Sequence, residues 1–235
     1  MNTRIKVLFF IAAIGACWAS CKKSDDAPTA ASTDKSVVGV INLSNSNINF
    51  YINGTRINNT TTYYPGGTLG YLNVMAGTQN YSFKVDKNSV PFYNKPFQAD
   101  TGKGYTIYVA NTNSDDVFST QDSWIPDTGV NLTRYAQIRY VNASPGAGSM
   151  NFVLRGKTDT PKMSNVPYKT TTAFTRITTG VHYIGIYRAA YPSIPKVDTV
   201  TISAGTIYTF YGYGTAVPAG NLGILTGLFN NGAEK

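Results

Sequence analysis

The chain has little of what catalysis is usually built from. Its 235 residues include one histidine, His182, and one glutamate, Glu234, beside eleven aspartates. Both cysteines, Cys17 and Cys21, fall near the amino terminus. A histidine-rich zinc site is excluded by count, and no serine or cysteine triad is legible around the single histidine. Beyond Cys21 there is no thiol for a disulfide or a thiolate metal site. No window carries a sustained helical period with caps. No nucleophile elbow, phosphate-cradling glycine loop or dinucleotide fingerprint is present. Gly212-Tyr213-Gly214 lies in a strand-like run and opens no helix. The expectation is a protein without cofactor or bound metal, and not an enzyme.

What is present favours strands. Tyrosine (17) and phenylalanine (11) are plentiful, and 22 glycines and 11 prolines punctuate the chain as turns. The formal charge is +8, but Lys and Arg are scattered singly, without the stripe or cluster that nucleic acid requires. The charge reads as solubility, with weak attraction to anionic surfaces, and nucleic acid is not an expected partner.

The amino terminus is an address. Arg4 and Lys6 precede the apolar run Val7–Ala16, and Trp18-Ala19-Ser20-Cys21 leads into Lys22-Lys23-Ser24-Asp25-Asp26. A basic start, a short apolar core and small residues before the cut describe a secretory signal peptide. The apolar run falls short of the roughly 20 residues of a spanning helix. A cysteine at the cut resembles the lipobox of bacterial lipoproteins, and the charged segment after it resembles the surface-export signal of Bacteroidota lipoproteins. Cys17 competes for the anchor by residue type. Cys21 fits by the length of the apolar region and the segment that follows, and is the expected lipidated residue. Residues 1–20 then read as signal peptide and 21–36 as a flexible tether.

The remainder repeats. Val38 to Ser44 recurs as Ile138 to Ser144, and Asn49 to Gly54 as Asn151 to Gly156. Ala76-Gly77 before Tyr81-Ser82-Phe83 matches Thr179-Gly180 before Ile184-Gly185-Ile186. Gly104 to Val109 is matched with Gly205 to Phe210, and the offset stays between 100 and 103. In the first unit Ile48, Phe50 and Ile52 alternate with Asn49, Tyr51 and Asn53, and Tyr81, Phe83 and Val85 with Ser82, Lys84 and Asp86. Period-two alternation marks half-buried strands. About seven short strands in about 100 residues suggest an immunoglobulin-like sandwich. The expected fold is all-β, two tandem immunoglobulin-like antiparallel β-sandwich modules over 37–118 and 134–235, with a junction over 119–133. Phe50 and Phe152 are expected at equivalent core positions, and so are Phe83 and Ile186.

The segment Ile138-Arg139-Tyr140-Val141-Asn142-Ala143-Ser144-Pro145-Gly146-Ala147, followed by Met150-Asn151-Phe152, resembles the opening of domain-of-unknown-function family 4397 (DUF4397). The first unit is a degenerate version, with Asn45-Ser46 in place of Pro145-Gly146. The resemblance implies an immunoglobulin-like sandwich in a bacterial surface lipoprotein, often in tandem, and brings no catalytic residues.

Candidate ligand-binding residues are the aromatics: Tyr63, Tyr64, Tyr191, Tyr211 and Tyr213, with Trp124 in the junction. Exposed tyrosines can stack on sugar rings or anchor a protein partner. Against this, tyrosines on antiparallel sheets also pair across strands and cover the sheet. Trp124 reads equally as a ligand contact and as a structural plug. His182, whose counterpart is Gln79, reads as a local hydrogen-bonding residue. Asn111 to Asp116 sets oxygen side chains on a loop but lacks the central glycine and distal glutamate of a calcium loop, and reads as a turn. The expected role is a lipid-anchored binding, adhesion or scaffolding protein on the outer membrane, with a glycan or surface protein as partner. The alternative is a small carbohydrate-active or calcium-dependent enzyme working through aspartates.

Overall fold

Sixteen strands and one short 3-10 turn make up the described chain. The structure is a computed structural model that describes residues 34–58, 61–122, 134–155, 162–191, 196–215 and 223–233. The first eight strands are β1 (Lys35–Asn42), β2 (Ile48–Ile52), β3 (Thr55–Arg56), β4 (Thr68–Met75), β5 (Gly77–Val85), β6 (Tyr93–Ala99), β7 (Gly104–Val109) and β8 (Val117–Asp122). The next eight are β9 (Tyr135–Ala143), β10 (Met150–Arg155), β11 (Lys162–Val166), β12 (Thr175–Thr178), β13 (Gly180–Arg188), β14 (Lys196–Ile202), β15 (Thr206–Tyr213) and β16 (Leu225–Ala233).

The sheets run β4-β1-β7-β8 and β3-β2-β5-β6 in the first module, and β12-β9-β15-β16 and β11-β10-β13-β14 in the second. Adding eight to each strand number converts one module into the other. The repeat expected from sequence is thus a repeat of topology. Pairing is antiparallel except for β1 with β7 and β9 with β15. β8 runs through Asp122, into the stretch read from sequence as junction.

Each module closes on its own core. Phe50 pairs with Phe83, and Phe152 pairs with Ile186, so the expected equivalences hold, and all four side chains are fully buried. Phe50 and Phe83 stack with centroids 4.9 Å apart, and Phe152 packs on Tyr140 at 4.9 Å. The turn from β2 to β3 is set by Asn53 and Gly54, both at positive φ (49° and 82°), the geometry of a two-residue hairpin turn.

One sequence match is corrected by the register. Val38 faces Tyr105 across the parallel pair, and Ile138 faces Tyr208. Tyr105 therefore corresponds to Tyr208, two residues from the Gly104–Gly205 alignment. Their hydroxyls agree: Tyr105 accepts from the Asp100 N–H at 3.3 Å, and Tyr208 from the Ser203 N–H at 3.1 Å. A two-residue slip preserves which face a side chain takes, so the inside-outside pattern was unaffected.

Both modules belong to one compact unit. The β4-β1-β7-β8 sheet and the β12-β9-β15-β16 sheet face each other, giving four sheets in succession. Between them lies a third core, built from Ile41, Leu43 and Tyr108 of the first module and Val141, Tyr211 and Phe229 of the second. The two inner sheets are thus covered on both faces. That is why β7 is buried at every position and β9 at all but its first, the polar Thr106, Gln137, Arg139 and Asn142 included.

Candidate functional site

Two places are candidates for function: the junction of the modules and a cleft on the flank of the first. At the junction, Arg139 projects from β9 of the second module into the third core. It is 2% exposed and forms an ion pair with Asp122 of β8, which is equally buried. The guanidinium also donates to Thr209 Oγ1 at 2.9 Å, Thr120 Oγ1 at 3.1 Å and the Gln121 carbonyl at 3.2 Å. Its face lies 4.8 Å from the Phe174 ring centroid. The second Asp122 oxygen accepts from Thr106 at 2.6 Å and Tyr71 at 2.7 Å. Burial, followed by the Asp122 charge, pushes the Tyr71 hydroxyl well above the usual tyrosine range. A buried ion pair needs its remaining donors and acceptors satisfied to be tolerated, and this one has them.

The interface is organised by equivalent positions. Gly39 in the first module stands where Arg139 stands in the second, and Thr120 where Phe229 does, as the strand registers show. A β-carbon on Gly39 would lie 3.3 Å from Phe229 Cζ, while Arg139 reaches Thr120. Small faces large at one place, and the order is reversed at the other. At the rim, Tyr168 donates to Asp116 Oδ1 at 2.6 Å, and Lys169 donates to the Asp115 carbonyl.

This packing accounts for part of the tyrosine surplus. Tyr211, expected as a ligand contact, is 3% exposed in the third core. Tyr213 is half-buried beside it, with centroids 5.8 Å apart. Tyr63 belongs to the core of the first module. For Tyr63 and Tyr211 the expectation of an exposed stacking surface is therefore corrected: their ring faces are used inside the protein. Tyr191 is half-buried, with the Arg188 guanidinium 4.7 Å from its centroid. Tyr64 is open, at 62% exposed. Trp124 and Cys21 lie outside the described residues.

Residues expected to be structural behave so. His182 is buried, and its Nε2 lies 2.7 Å from the Thr178 carbonyl. A carbonyl only accepts, which fixes the Nε2–H tautomer. Gln79 Nε2 donates to the Met75 carbonyl, the same bond at the equivalent place. In the Asn111 to Asp116 loop, Asn113 accepts from the N–H groups of Asp115 and Asp116 at 2.9 Å each. Asn113 also donates to Asp116 Oδ2 at 2.6 Å, so both Asp116 oxygens are occupied. Among the described residues no group of three or more His, Cys, Asp or Glu side chains is placed to hold a metal ion.

The cleft lies on the flank of the first module, with a volume of about 370 Å³. One wall is Ile57, Asn58 and Thr61 to Tyr64; the other is Gly67 to Leu69 with Leu72. Asn58 fixes the first wall by donating to the Thr61 carbonyl at 2.6 Å and to Asn49 Oδ1 at 2.9 Å while accepting from the Phe50 N–H at 3.0 Å. The second wall follows a tight turn, Tyr64-Pro65-Gly66-Gly67. The Gly67 N–H donates to the Tyr64 carbonyl at 2.8 Å, and Gly66 has φ of 75°. Proline second and glycine third is the chemistry of a type II turn. Among the described residues none of the lining side chains is charged. Sequence reading named Tyr63 and Tyr64 but missed the β4 wall, which carries no motif.

With the geometry in view, the comparisons can be placed. Residues 136–228 match the model of a domain of unknown function, DUF4397. The match falls on the second module. Within the matched residues Asn142 Nδ2 donates to the Gly148 carbonyl at 2.8 Å and the Val166 carbonyl at 3.0 Å, and its Oδ1 accepts from the Ser144 N–H at 3.2 Å. Comparison with curated proteins returns no match. Among solved structures, the Bacillus anthracis TIE protein is similar at 12% identity and a TM-score of 0.25, over 76% of this chain and 33% of that one. The chain thus spans about a third of that protein. A carbohydrate-binding module (family CBM26) from Eubacterium rectale Amy13K, in complex with maltoheptaose, is similar at 10% identity and a TM-score of 0.23, over 83% of this chain and 96% of that one. At such TM-scores the likeness extends to neither a ligand nor a partner.

Proposed function

We propose that this protein is a lipid-anchored binding or adhesion protein of the bacterial cell surface, held to the outer membrane through Cys21, in which the first module is a divergent copy of the DUF4397 fold. The observation that carries this reading is the joining of two sandwiches into one body, with an uncharged ligand-sized cleft left on its flank. Five of the described carboxylates are engaged by neighbouring side chains instead. Asp122 is committed to Arg139, and Asp116 to Asn113 and Tyr168. Asp86 accepts from Asn49, Asp100 from Tyr105 and Asp198 from Thr226. Two sandwiches joined into one body suit presentation of a binding surface, and the composition of the preceding segment is that of a tether.

Mass spectrometry of the mature amino terminus tests the anchor: an acylated Cys21 is expected, and an acylated Cys17 or an unmodified cut site overturns it. Protease accessibility on intact cells tests exposure. For the binding role, pull-down from envelope extracts and incubation with envelope polysaccharides should show retention without turnover. Turnover of a polysaccharide, abolished by a single Asp→Asn change, would replace the binding reading with the enzymatic one.

A further inference from the structure

The two modules supply an internal comparison for the flank cleft. Asn42 Nδ2 donates to the Tyr63 carbonyl, and Asn142 Nδ2 to the Val166 carbonyl. Ile48 bridges Tyr63, and Met150 pairs with Val166. Tyr63 thus corresponds to Val166 and Tyr64 to Pro167. The second module builds the same fold with no aromatic ring at either position, so the tyrosine pair of the first module is not demanded by the sandwich.

The pair has two further properties. Tyr64 lines the cleft with most of its surface open, which leaves a ring available for stacking. Tyr63 lines the same cleft while 5% exposed, and its hydroxyl has no hydrogen-bond partner. That hydroxyl is shut off from solvent, as are those of Tyr81, Tyr108 and Tyr140, so Tyr63 shapes the wall and the contact with a ligand falls to Tyr64. Around these rings stand Thr61, Thr62 and Thr68 and the apolar Leu69 and Leu72; among the described residues no charged side chain lines the cleft, and the Arg56 guanidinium behind the first wall is held by Asn49 Oδ1 and the Thr61 carbonyl.

We propose that this cleft is a binding subsite for a neutral saccharide, with Tyr64 as the platform on which a sugar ring stacks. The inference rests on the binding role proposed above and names the ligand class of this site. An aromatic ring beside several hydroxyls complements the apolar face and hydroxyl edge of a pyranose. The lack of lining charge disfavours acidic or basic ligands, which would be desolvated without a counter-charge. An extended peptide added along β4 is the competing occupant. The register shift opposite Gly39, at Gly70 and Tyr71, interrupts the regular edge that strand addition needs.

The test uses the full-length protein in a detergent without a sugar headgroup. Neutral gluco-, manno- and xylo-oligosaccharides, an acidic oligogalacturonate and an unglycosylated peptide library are the probes. A neutral oligosaccharide is expected to bind. Tyr64→Ala should raise its Kd by about tenfold or more, as loss of an anchoring aromatic does, with Tm unchanged. Tyr64→Phe, which keeps the ring, should stay within about threefold. Tyr183→Ala, at an exposed ring of the second module, should change nothing. Neutral binding that is indifferent to Tyr64→Ala overturns the cleft site but leaves the binding function standing. Binding of oligogalacturonate or peptide alone overturns the saccharide class, again without touching the general role. If no probe binds, the inference falls, and retention in the envelope pull-down then decides the broader reading separately.

Discussion

Tyr71 and Asn231 are hydrogen-bonded across the two modules at 2.6 Å, and each stands where its strand slips register. A bulge re-aims the side chain it carries. Here two bulges, one in β4 and one in β16, turn a tyrosine and an asparagine toward the same buried network. Asn231 also accepts from Thr209 at 2.7 Å, and Thr209 accepts from Arg139. The irregularities of the inner sheets thus serve the junction.

The first prediction concerns that network. Asp122→Ala leaves the Arg139 guanidinium buried without its counter-charge, and a broken buried pair typically costs about 3–5 kcal/mol. Replacing both partners with apolar residues of similar size, as in Asp122→Leu with Arg139→Met, removes the desolvation penalty together with the attraction. The double variant should recover most of the loss. Denaturant midpoints of the two single variants and the double variant give the coupling. A double variant no better than Asp122→Ala would show that the pair is not the unit that matters.

The second prediction follows from the third core. Phe152→Ala should cost about 3–5 kcal/mol, as truncation of a buried aromatic does. The loss should lower one transition for the whole chain, because the first module loses the cover of its inner sheet when the second unfolds. Calorimetry of the wild type should show a single peak, and that peak should shift intact in Phe152→Ala. Two separated peaks would mean that the modules fold independently despite Tyr211 and Phe229.

The fold was legible in the sequence where one face of a strand is buried, because alternation there has a single meaning. Ile48, Phe50 and Ile52 announced β2 directly. The inner sheets were harder. A strand covered on both faces can carry large side chains on either one, so Tyr211 and Tyr213 of β15 suggested a ligand surface when they pack in the space between modules. Arg139 was a usable signal: one cation in the otherwise apolar run Ile138 to Val141 implies a buried partner. The partner lay in the stretch read as linker, where polar residues pass for solvated ones. Of the candidate site, Tyr63 and Tyr64 could be named from sequence, but the facing wall of Thr68, Leu69 and Leu72 was missed, although the Pro65-Gly66 turn that folds β4 back beside them is local.

The third prediction is a pH limit. Burial pushes the hydroxyls of Tyr63, Tyr140 and Tyr211 above the tyrosine range and that of Tyr81 up to about 12. These groups keep their protons in the folded state at a pH where the unfolded chain, with its ordinary value of 10.0, gives them up. Their stabilising contribution is fully present below that value and is lost as pH rises through the folded values. Stability should therefore hold up to about pH 10 and fall steeply above it. Phenolate absorbance should report a cooperative step from the buried rings, coincident with loss of circular dichroism. Gradual titration of every tyrosine with no unfolding step would contradict the burial of these rings.

The last prediction addresses the asparagine at the centre of the repeated segment. Asn142 Nδ2 donates to two backbone carbonyls, and Asn42 Nδ2 does the same with Ser46 at 2.7 Å and Tyr63 at 2.8 Å. Each also accepts from the N–H two residues on, so one side chain ties the end of β1 or β9 to the two loops that follow it. Alanine at either position leaves these buried groups unpaired, at about 1–3 kcal/mol for each that water cannot reach. Aspartate is nearly the same size but presents oxygens to both carbonyls, adding repulsion and a buried charge to the lost bonds. Asn142→Asp should therefore be more destabilising than Asn142→Ala near neutral pH. Its deficit should shrink as pH falls through the carboxylate range, because a protonated carboxyl can restore one donor. Asn42 should give the same order, measured by urea midpoints at neutral and acidic pH. If aspartate is tolerated as well as alanine at both positions, the segment is not held by its amide donors, and its recurrence needs another explanation.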